Sequence, residues 1–381
     1  MKKFKIVVII VTVLLVLTLV AEPIQAQDEP PTWDGEIPDL SQFTPRVDEG
    51  FPPEPITVNG LYYPVSPVND VVYSRLPKLY FNRDYSATAY RVEITDSAAG
   101  ITYKVKGAGT CSTWYCYLQP TTKLSVFDYP NTGGIFFWRV QAKIGGSWQP
   151  WSPSELFLVL SKGFTSTFDA NRSKWLDVYG TWTLKNGSIK SPDNNTDMWN
   201  SIHYRDYFGN IDYTVTMKRK TINYNPSCMI IHGFPQPLSS IKRWDDGVYF
   251  CYGDNGVFGV FKLQDAALTW LTSGYISTSA IKPNDWNTLR AVVTSPYMDL
   301  WINGVYLGYV TGTFSSGLLG IAMYDSLEAK DPLLVDQAVV VADQTVTNRV
   351  HDPAMQLNAN PVDLDLVPEI LPSDSGASGT R

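Results

Sequence analysis

The chain has 381 residues, with 22 Tyr, 12 Trp, 27 Gly and 26 Pro but only 18% charged residues. Aromatic residues suit half-buried strands, and Gly and Pro suit the turns between them, so this balance is that of a β protein. A net charge of -7 argues against nucleic acid as a partner, because like charges repel phosphates.

Met1-Lys2-Lys3-Phe4-Lys5 precedes an apolar run over residues 6–20 and then Ala21-Glu22-Pro23-Ile24-Gln25-Ala26. A basic start, a short apolar stretch and a small residue at the cut are the parts of a secretory signal, expected here at 1–26. The run is shorter than the ~20 residues a spanning helix needs, and an uncleaved anchor is the alternative. The mature chain is therefore expected to be secreted and extracellular, with no membrane span once the signal is removed. Residues 27–57 contain DEPP and FPPEP and carry Asp28, Glu29, Asp34, Glu36, Asp39, Asp48, Glu49 and Glu54 against Arg46. Such a stretch buries too little surface to offset its ordering entropy and reads as a disordered linker. Residues 346–381, ending NPVDLDLVPEILPSDSGASGTR, read as a disordered tail in the same way.

The residues between these ends suffice for two cores, at 58–160 and 161–345. Apolar residues alternate with polar ones in YRVEI, YKVKG, FFWRVQA, YTVTMKR, VYFCY, LRAVV and DLWIN. That is the period of strands, and it predicts an all-β fold of two sandwiches.

In the first unit, ATAYRVEI at 87–94 and FFWRVQAKIGGSWQPWSPSELFLV at 136–159 are the informative stretches. The second places Trp138, Val140 and Ala142 inward and Arg139 and Gln141 outward, then turns at Gly and runs through WSPS into a last strand. This pattern resembles a fibronectin type III-like domain, although Tyr80 stands where that family more often carries a core tryptophan. The resemblance implies a sandwich used as a spacer or binding module. Cys111 and Cys116 bracket STWY, and in an oxidising compartment they are expected to close a tight loop worth roughly 2 kcal/mol in the loop-entropy model.

In the second unit, NDWNTLRAVVTSPYMDLWINGVYLGYVTGTFSSGLLGIAMY at 284–324 runs from a Trp-initiated strand to a hairpin and on to a Gly-rich strand. Asn303-Gly304 supplies the positive φ that a two-residue turn requires. FTSTFDANRSKWLDVYGTWTLKNGSIKSP, with its own Asn186-Gly187 turn, opens the unit. Together these stretches resemble a concanavalin A-like (laminin G-like) jelly roll. WDDGVYFCYGDNGVFGVFKL at 244–263 reads as strands 248–252 and 257–262 joined by Gly253-Asp254-Asn255-Gly256, with Asp254 bonding its own turn. Cys251 then lies mid-strand beside the strand carrying Cys228, and a cross-strand bridge of roughly 3.5 kcal/mol is expected.

A hydrolase on such a fold needs two carboxylates about 5–10 Å apart. The second unit holds a single glutamate, Glu328, in a loop, and the family's Glu-x-Asp-x-Glu pattern is absent. Asp245 and Asp246 are adjacent and would point to opposite faces of a strand, while Asp206, Asp212 and Asp299 could meet only through the fold. His203, His232 and His351 have no ligand spacing. No cofactor is expected, apart from a structural calcium that Asp245, Asp246, Asp254 or Asp325 could hold. Lys218-Arg219-Lys220 reads as a solvated strand edge.

What remains is aromaticity beside polar groups. Trp199, His203, Arg205, Arg243, Trp244, Tyr249 and Trp270 are the candidate glycan-binding residues, since sugar C–H faces pack on aromatic planes; for any one ring, a place in the core competes with that role. The expected function is a secreted, non-catalytic carbohydrate-binding or adhesion protein whose partner is a polysaccharide or cell-surface glycan. A structural surface or assembly protein is the alternative, and a glycan-active hydrolase with non-standard residues the second.

Overall fold

The computed structural model describes residues 44–45, 62–130, 133–172, 174–192, 196–219, 225–314, 316–326, 331–342 and 350–357. The expected signal segment, the acidic linker apart from Thr44–Pro45, and the tail beyond residue 357 lie outside the described residues. The described chain is strand and turn, with a short 3-10 helix at Pro353–Met355, so the all-β class expected from the alternation is the one observed. Among the described residues no helix is long and apolar enough to cross a membrane.

The first sandwich pairs a seven-stranded sheet with a four-stranded one. The larger sheet runs Thr44–Pro45, Asp70–Val72, Glu155–Val159, Ile135–Ile144, Ala87–Asp96, Ile101–Gly107, with Ser147–Trp148 added to Ile135–Ile144. The smaller runs Pro64–Ser66, Leu79–Asn82, Tyr115–Leu118, Thr110–Cys111. Trp138, Val140 and Ala142 point into the core with Phe81, Val92, Ile94 and Phe157. Arg139 and Gln141, expected in solvent, are also buried. The reason is a roof of Trp148 and Trp151: the Arg91 guanidinium sits 4.7 and 4.9 Å from their rings and that of Arg139 4.8 Å from Trp151. Arg139 also meets Glu93 at 2.7 Å, so a desolvated cation keeps both an aromatic face and a carboxylate.

The second sandwich packs two eight-stranded sheets face to face. The outer sheet runs Thr183–Lys185, Ser188–Lys190, Leu334–Val341, Ile211–Lys218, Asn287–Thr294, Tyr297–Ile302, Val305–Thr311, with Gly163–Ser166 on Leu334–Val341. The inner sheet runs Trp175–Tyr179, Met198–Tyr204, Leu318–Asp325, Ser227–Leu238, Trp244–Gly253, Val257–Gln264, Ala267–Trp270, with Ile276–Ser277 on Val257–Gln264. Both Asn-Gly hairpins form with positive φ at Asn186, Gly187, Asn303 and Gly304. The hairpin over 244–263 pairs Gly253 with Val257 as expected. Asp254, however, accepts from the Asn284 backbone N–H at 2.8 Å, so it ties its turn to a neighbouring loop rather than to itself.

Two further expectations are corrected. Arg219 is no solvated edge: it is 1% exposed, paired with Asp331 at 2.8 Å and bonded to the Tyr324 and Asn225 carbonyls. Its pairing partners come from distant loops, which a local charge run does not reveal. Residues 350–357, read as part of a free tail, lie on the outer sheet. His351 stacks on Tyr297 at 4.1 Å and meets Asp299 at 3.0 Å, while the Leu357 N–H donates to the Tyr309 carbonyl.

The two sandwiches share apolar core. Val71, Tyr73, Phe127, Ile135, Leu158 and Leu160 of the first belong to the same buried cluster as the second sandwich. Phe127 packs on Tyr207 at 4.4 Å and Tyr129 on His203 at 5.6 Å. The Tyr129 N–H donates to the Arg205 carbonyl, and Asp128 bridges Asp206 in antiparallel fashion. The expectation of a spacer followed by a separate binding unit thus meets a continuous interior.

Candidate ligand-binding surfaces

Residues opposite one another across antiparallel strands share a sheet face. On the inner sheet this puts Trp199, Ser201 and His203 beside Tyr324, Ala322 and Gly320, then Cys228 and Ile230, then Cys251 and Tyr249, then Gly259 and Phe261, and finally Trp270. This is the face turned away from the outer sheet, and it is closed. Tyr249 stacks on Phe261 at 4.9 Å, Trp270 meets Phe261 edge-on at 5.4 Å, and Trp199 meets Tyr249 and Tyr324 at 5.6 and 5.8 Å.

Trp244 is wedged into the same face. Its Nε1–H donates to Ser201 Oγ at 2.9 Å, and its ring lies where a Cβ on Gly233 or Gly320 would stand only 2.7 Å away. Glycine at those strand positions is what admits the indole. The connection after Ser227–Leu238 crosses the intervening Leu318–Asp325 strand to reach the far edge. There the Trp199 N–H donates to the Ile241 carbonyl at 2.9 Å, and the Lys242 ammonium sits 5.6 Å from the Tyr179 ring.

The seven residues expected to bind glycan are therefore dispersed in environment. Trp199, His203, Trp244 and Tyr249 are buried, Arg243 is 5% exposed, and Arg205 and Trp270 are partly exposed. Trp199, Tyr249 and Trp270 do lie on one face, linked through Phe261, but with the rings used for packing. His203 is held neutral by burial, which pushes its pKa down against the opposing bond to the Tyr204 carbonyl. Arg205 belongs to the junction between sandwiches, where it meets Asp128 at 2.9 Å. Burial raises the Asp128 pKa and the Arg205 charge opposes that rise.

The acidic residues that the fold could have gathered each take a partner, and Asp212 and Asp299 share a face of the outer sheet on either side of Val292, both near Arg290. Asp206 takes the Lys174 ammonium at 2.8 Å, Asp212 takes Arg290 at 2.5 Å, and Asp299 takes His351 and the Tyr306 hydroxyl at 3.0 and 2.7 Å. Each carboxylate is thereby committed to an ion pair or hydrogen bond within the fold. For calcium, among the described residues no three His, Cys, Asp or Glu side chains gather into a ligand set. Asp325 accepts from the Thr196 N–H and Asp246 from the Asp265 N–H, so these carboxylates act as loop anchors.

The loop expected only to be stapled also presents an exposed ring. Cys111 and Cys116 are joined, as are Cys228 and Cys251. The first bridge closes a tip on which Trp114 is 47% exposed, beside Tyr85 at 67%. The Tyr85 hydroxyl donates to the Thr113 carbonyl, Arg83 donates to the Ser112 carbonyl at 2.8 Å, and the Arg83 N–H to the Trp114 carbonyl at 2.8 Å. The Arg83 guanidinium lies 4.7 Å over the Tyr85 ring. One aromatic ring thus stands in solvent on the covalently closed loop, and a second ring and a cation stand beside it on the turn bonded to that loop. The available signal was the large ring at the centre of STWY, in a loop too short to fold it back under itself.

No family model matches this sequence, and no curated protein matches it. Solved structures with similar coordinates include the carbohydrate-binding module CBM66 from Bacillus subtilis, at 14% identity and a TM-score of 0.35, spanning 44% of this chain and 94% of that one. The β-glucanase of Bacillus licheniformis is similar at 10% identity and 0.39, spanning 48% and 98%. The carbohydrate recognition domain of Emp47p is similar at 10% identity and 0.38, spanning 48% and 95%.

Proposed function

We propose that this chain is a secreted, non-catalytic carbohydrate-binding or adhesion protein. In this reading a fibronectin type III-like sandwich and a concanavalin A-like jelly roll form one rigid body, and glycan stacks on the Tyr85 and Trp114 rings. The observation that carries it is the stapled tip: two exposed rings side by side, Tyr85 held by its hydroxyl and Arg83, and Trp114 on a backbone closed by the disulfide. Preorganised rings lose little freedom on binding, and sugar C–H faces pack on them while Arg83 offers donors to hydroxyls. The engagement of Asp206 and Asp212 in ion pairs and of Asp299 in hydrogen bonds supports the non-catalytic form.

Each stacked ring contributes on the order of 1 kcal/mol, or about fivefold in affinity, so a polymeric ligand is expected to be held by repeated weak contacts. Affinity electrophoresis of the full chain through a panel of neutral polysaccharides, followed by calorimetry on the retained one, tests this. Trp114→Ala and Tyr85→Ala should each weaken binding about fivefold with unchanged unfolding midpoints. Retention that survives both substitutions would move the site elsewhere, and release of reducing sugar would establish a hydrolase. The closed inner face favours a structural assembly protein as the second reading, which failure to bind any glycan would leave standing.

A further inference from the structure

The junction between the sandwiches holds a cleft of about 450 Å³, formed by the segment after Asp70–Val72, the loop carrying Lys123, the connection at residues 160–162 and Lys174 with Asp206. Its wall carries Arg75, Lys123, Lys162 and Lys174 against the single carboxylate Asp206, and its apolar part includes Leu160 and Val126. The Lys174 ammonium lies 2.8 and 3.0 Å from the two Asp206 oxygens and neutralises it. Four cations less one anion leave a local excess of three positive charges in a chain whose net charge is -7.

Three of these cations carry that excess at the surface. Arg75, Lys123 and Lys162 face solvent, and the Arg75 Nε–H is anchored on the Leu124 carbonyl at 2.6 Å, which fixes its guanidinium at the rim. The walls cannot drift apart easily, because Tyr73, Leu160 and Phe127 belong to the core that joins the sandwiches. Converging like charges repel one another, and an anion between them removes that repulsion. The volume is that of a small-ligand site, and an apolar floor beneath a cationic rim matches a sugar ring bearing an oxyanion.

We propose that this cleft binds a charged segment of an acidic glycan, through the carboxylate of a uronic acid or a sulfate ester. The proposal rests on the glycan-binding reading, with the neutral sugar surface at Tyr85 and Trp114 and the anion site here. Arg75 supplies a planar, paired donor to the oxyanion, and Lys123 and Lys162 supply point charges on either side.

The test uses the full secreted chain in calorimetry with oligogalacturonate, with a sulfated dextran oligosaccharide and with neutral dextran, each at about 20 and about 200 mM salt. One or both anionic ligands should bind, more weakly at the higher salt, and which of them binds more tightly assigns carboxylate or sulfate. The Lys123→Gln/Lys162→Gln double variant should lose about tenfold in affinity and most of the salt dependence, while Lys104→Gln, on the far edge of the first sandwich, should lose nothing. Trp114→Ala should leave the salt-sensitive component intact, so failure of the aromatic site and failure of the cleft are read separately. Absence of binding by both anionic ligands at low salt, or a double variant that binds as the parent does, overturns the proposal.

Discussion

Trp244→Ala decides whether the inner face is closed in solution. The indole is 0% exposed and bonded to Ser201. An aromatic of this size buries about 150–250 Å², which at about 25 cal/mol per Å² comes to roughly 4–6 kcal/mol, and measured Trp→Ala losses in cores run about 3–5 kcal/mol. Ser201 Oγ also loses its donor, at a further cost of about 1 kcal/mol. The expected loss is therefore about 5 kcal/mol, and Trp244→Phe, which keeps most of the area but not the hydrogen bond, should lose about half of that. Urea unfolding followed by circular dichroism reads both. If Trp244→Ala costs less than about 1 kcal/mol and abolishes glycan binding, the ring is accessible in solution and the crossing loop opens. The inner face would then not be enclosed, and Trp244 would return as a stacking platform.

Three further outcomes follow from single observations. His232 donates Nε2–H to the Gly209 carbonyl at 2.7 Å, and burial lowers its pKa from 6.5 to about 4. The unfolded chain then binds the proton more readily, so stability is full above pH 6.5 and falls by up to about 3 kcal/mol toward pH 4, which urea midpoints at several pH values measure and His232→Gln should flatten. Arg219→Met leaves Asp331 buried without its cation and should cost about 3–5 kcal/mol, whereas the double replacement Arg219→Met/Asp331→Leu should recover much of it; equal losses would contradict the pairing. Replacing Cys228 and Cys251 by Ala opens a closure spanning 23 residues and should lower stability by about 3.5 kcal/mol, and an unchanged midpoint would show that the bridge does not constrain the unfolded chain.

Much of the fold was written locally. Asn186-Gly187 and Asn303-Gly304 specify their turns through backbone conformation alone, and Cys228 faces Cys251 because the alternation on both strands fixes their register. What escaped depends on contacts between residues far apart in sequence. Alternation tells which side chains share a face but not whether that face meets water. Even so, a signal was present: LLGIAMYD at Leu318–Asp325 is apolar or small at both parities and buried throughout, the pattern of a strand covered on both sides. Gly233 and Gly320 carried the complementary signal, since strand glycines mark places where a ring or backbone comes close. Arg219 and His351 misled for the opposite reason: a charged run and a polar tail read as solvated until the loops that neutralise and cover them are in place.

The location of any ligand follows from what the chain spends its own residues covering. The hairpin ending in Trp244 closes the inner face, residues 350–357 lie on the outer sheet, and Trp148 and Trp151 roof the larger sheet of the first sandwich. A sheet face already packed with aromatic rings cannot take a sugar without expelling them, at several kcal/mol per ring, whereas weak glycan contacts return on the order of 1 kcal/mol each. Binding at those faces is therefore disfavoured by the structure's own packing. Loop tips and the junction escape this cost, since their rings and cations already face water and need no rearrangement. The disulfide at the Trp114 tip and the shared core beneath the cationic cleft serve the same physical end, which is to remove the ordering entropy that exposed residues would otherwise lose on meeting a ligand.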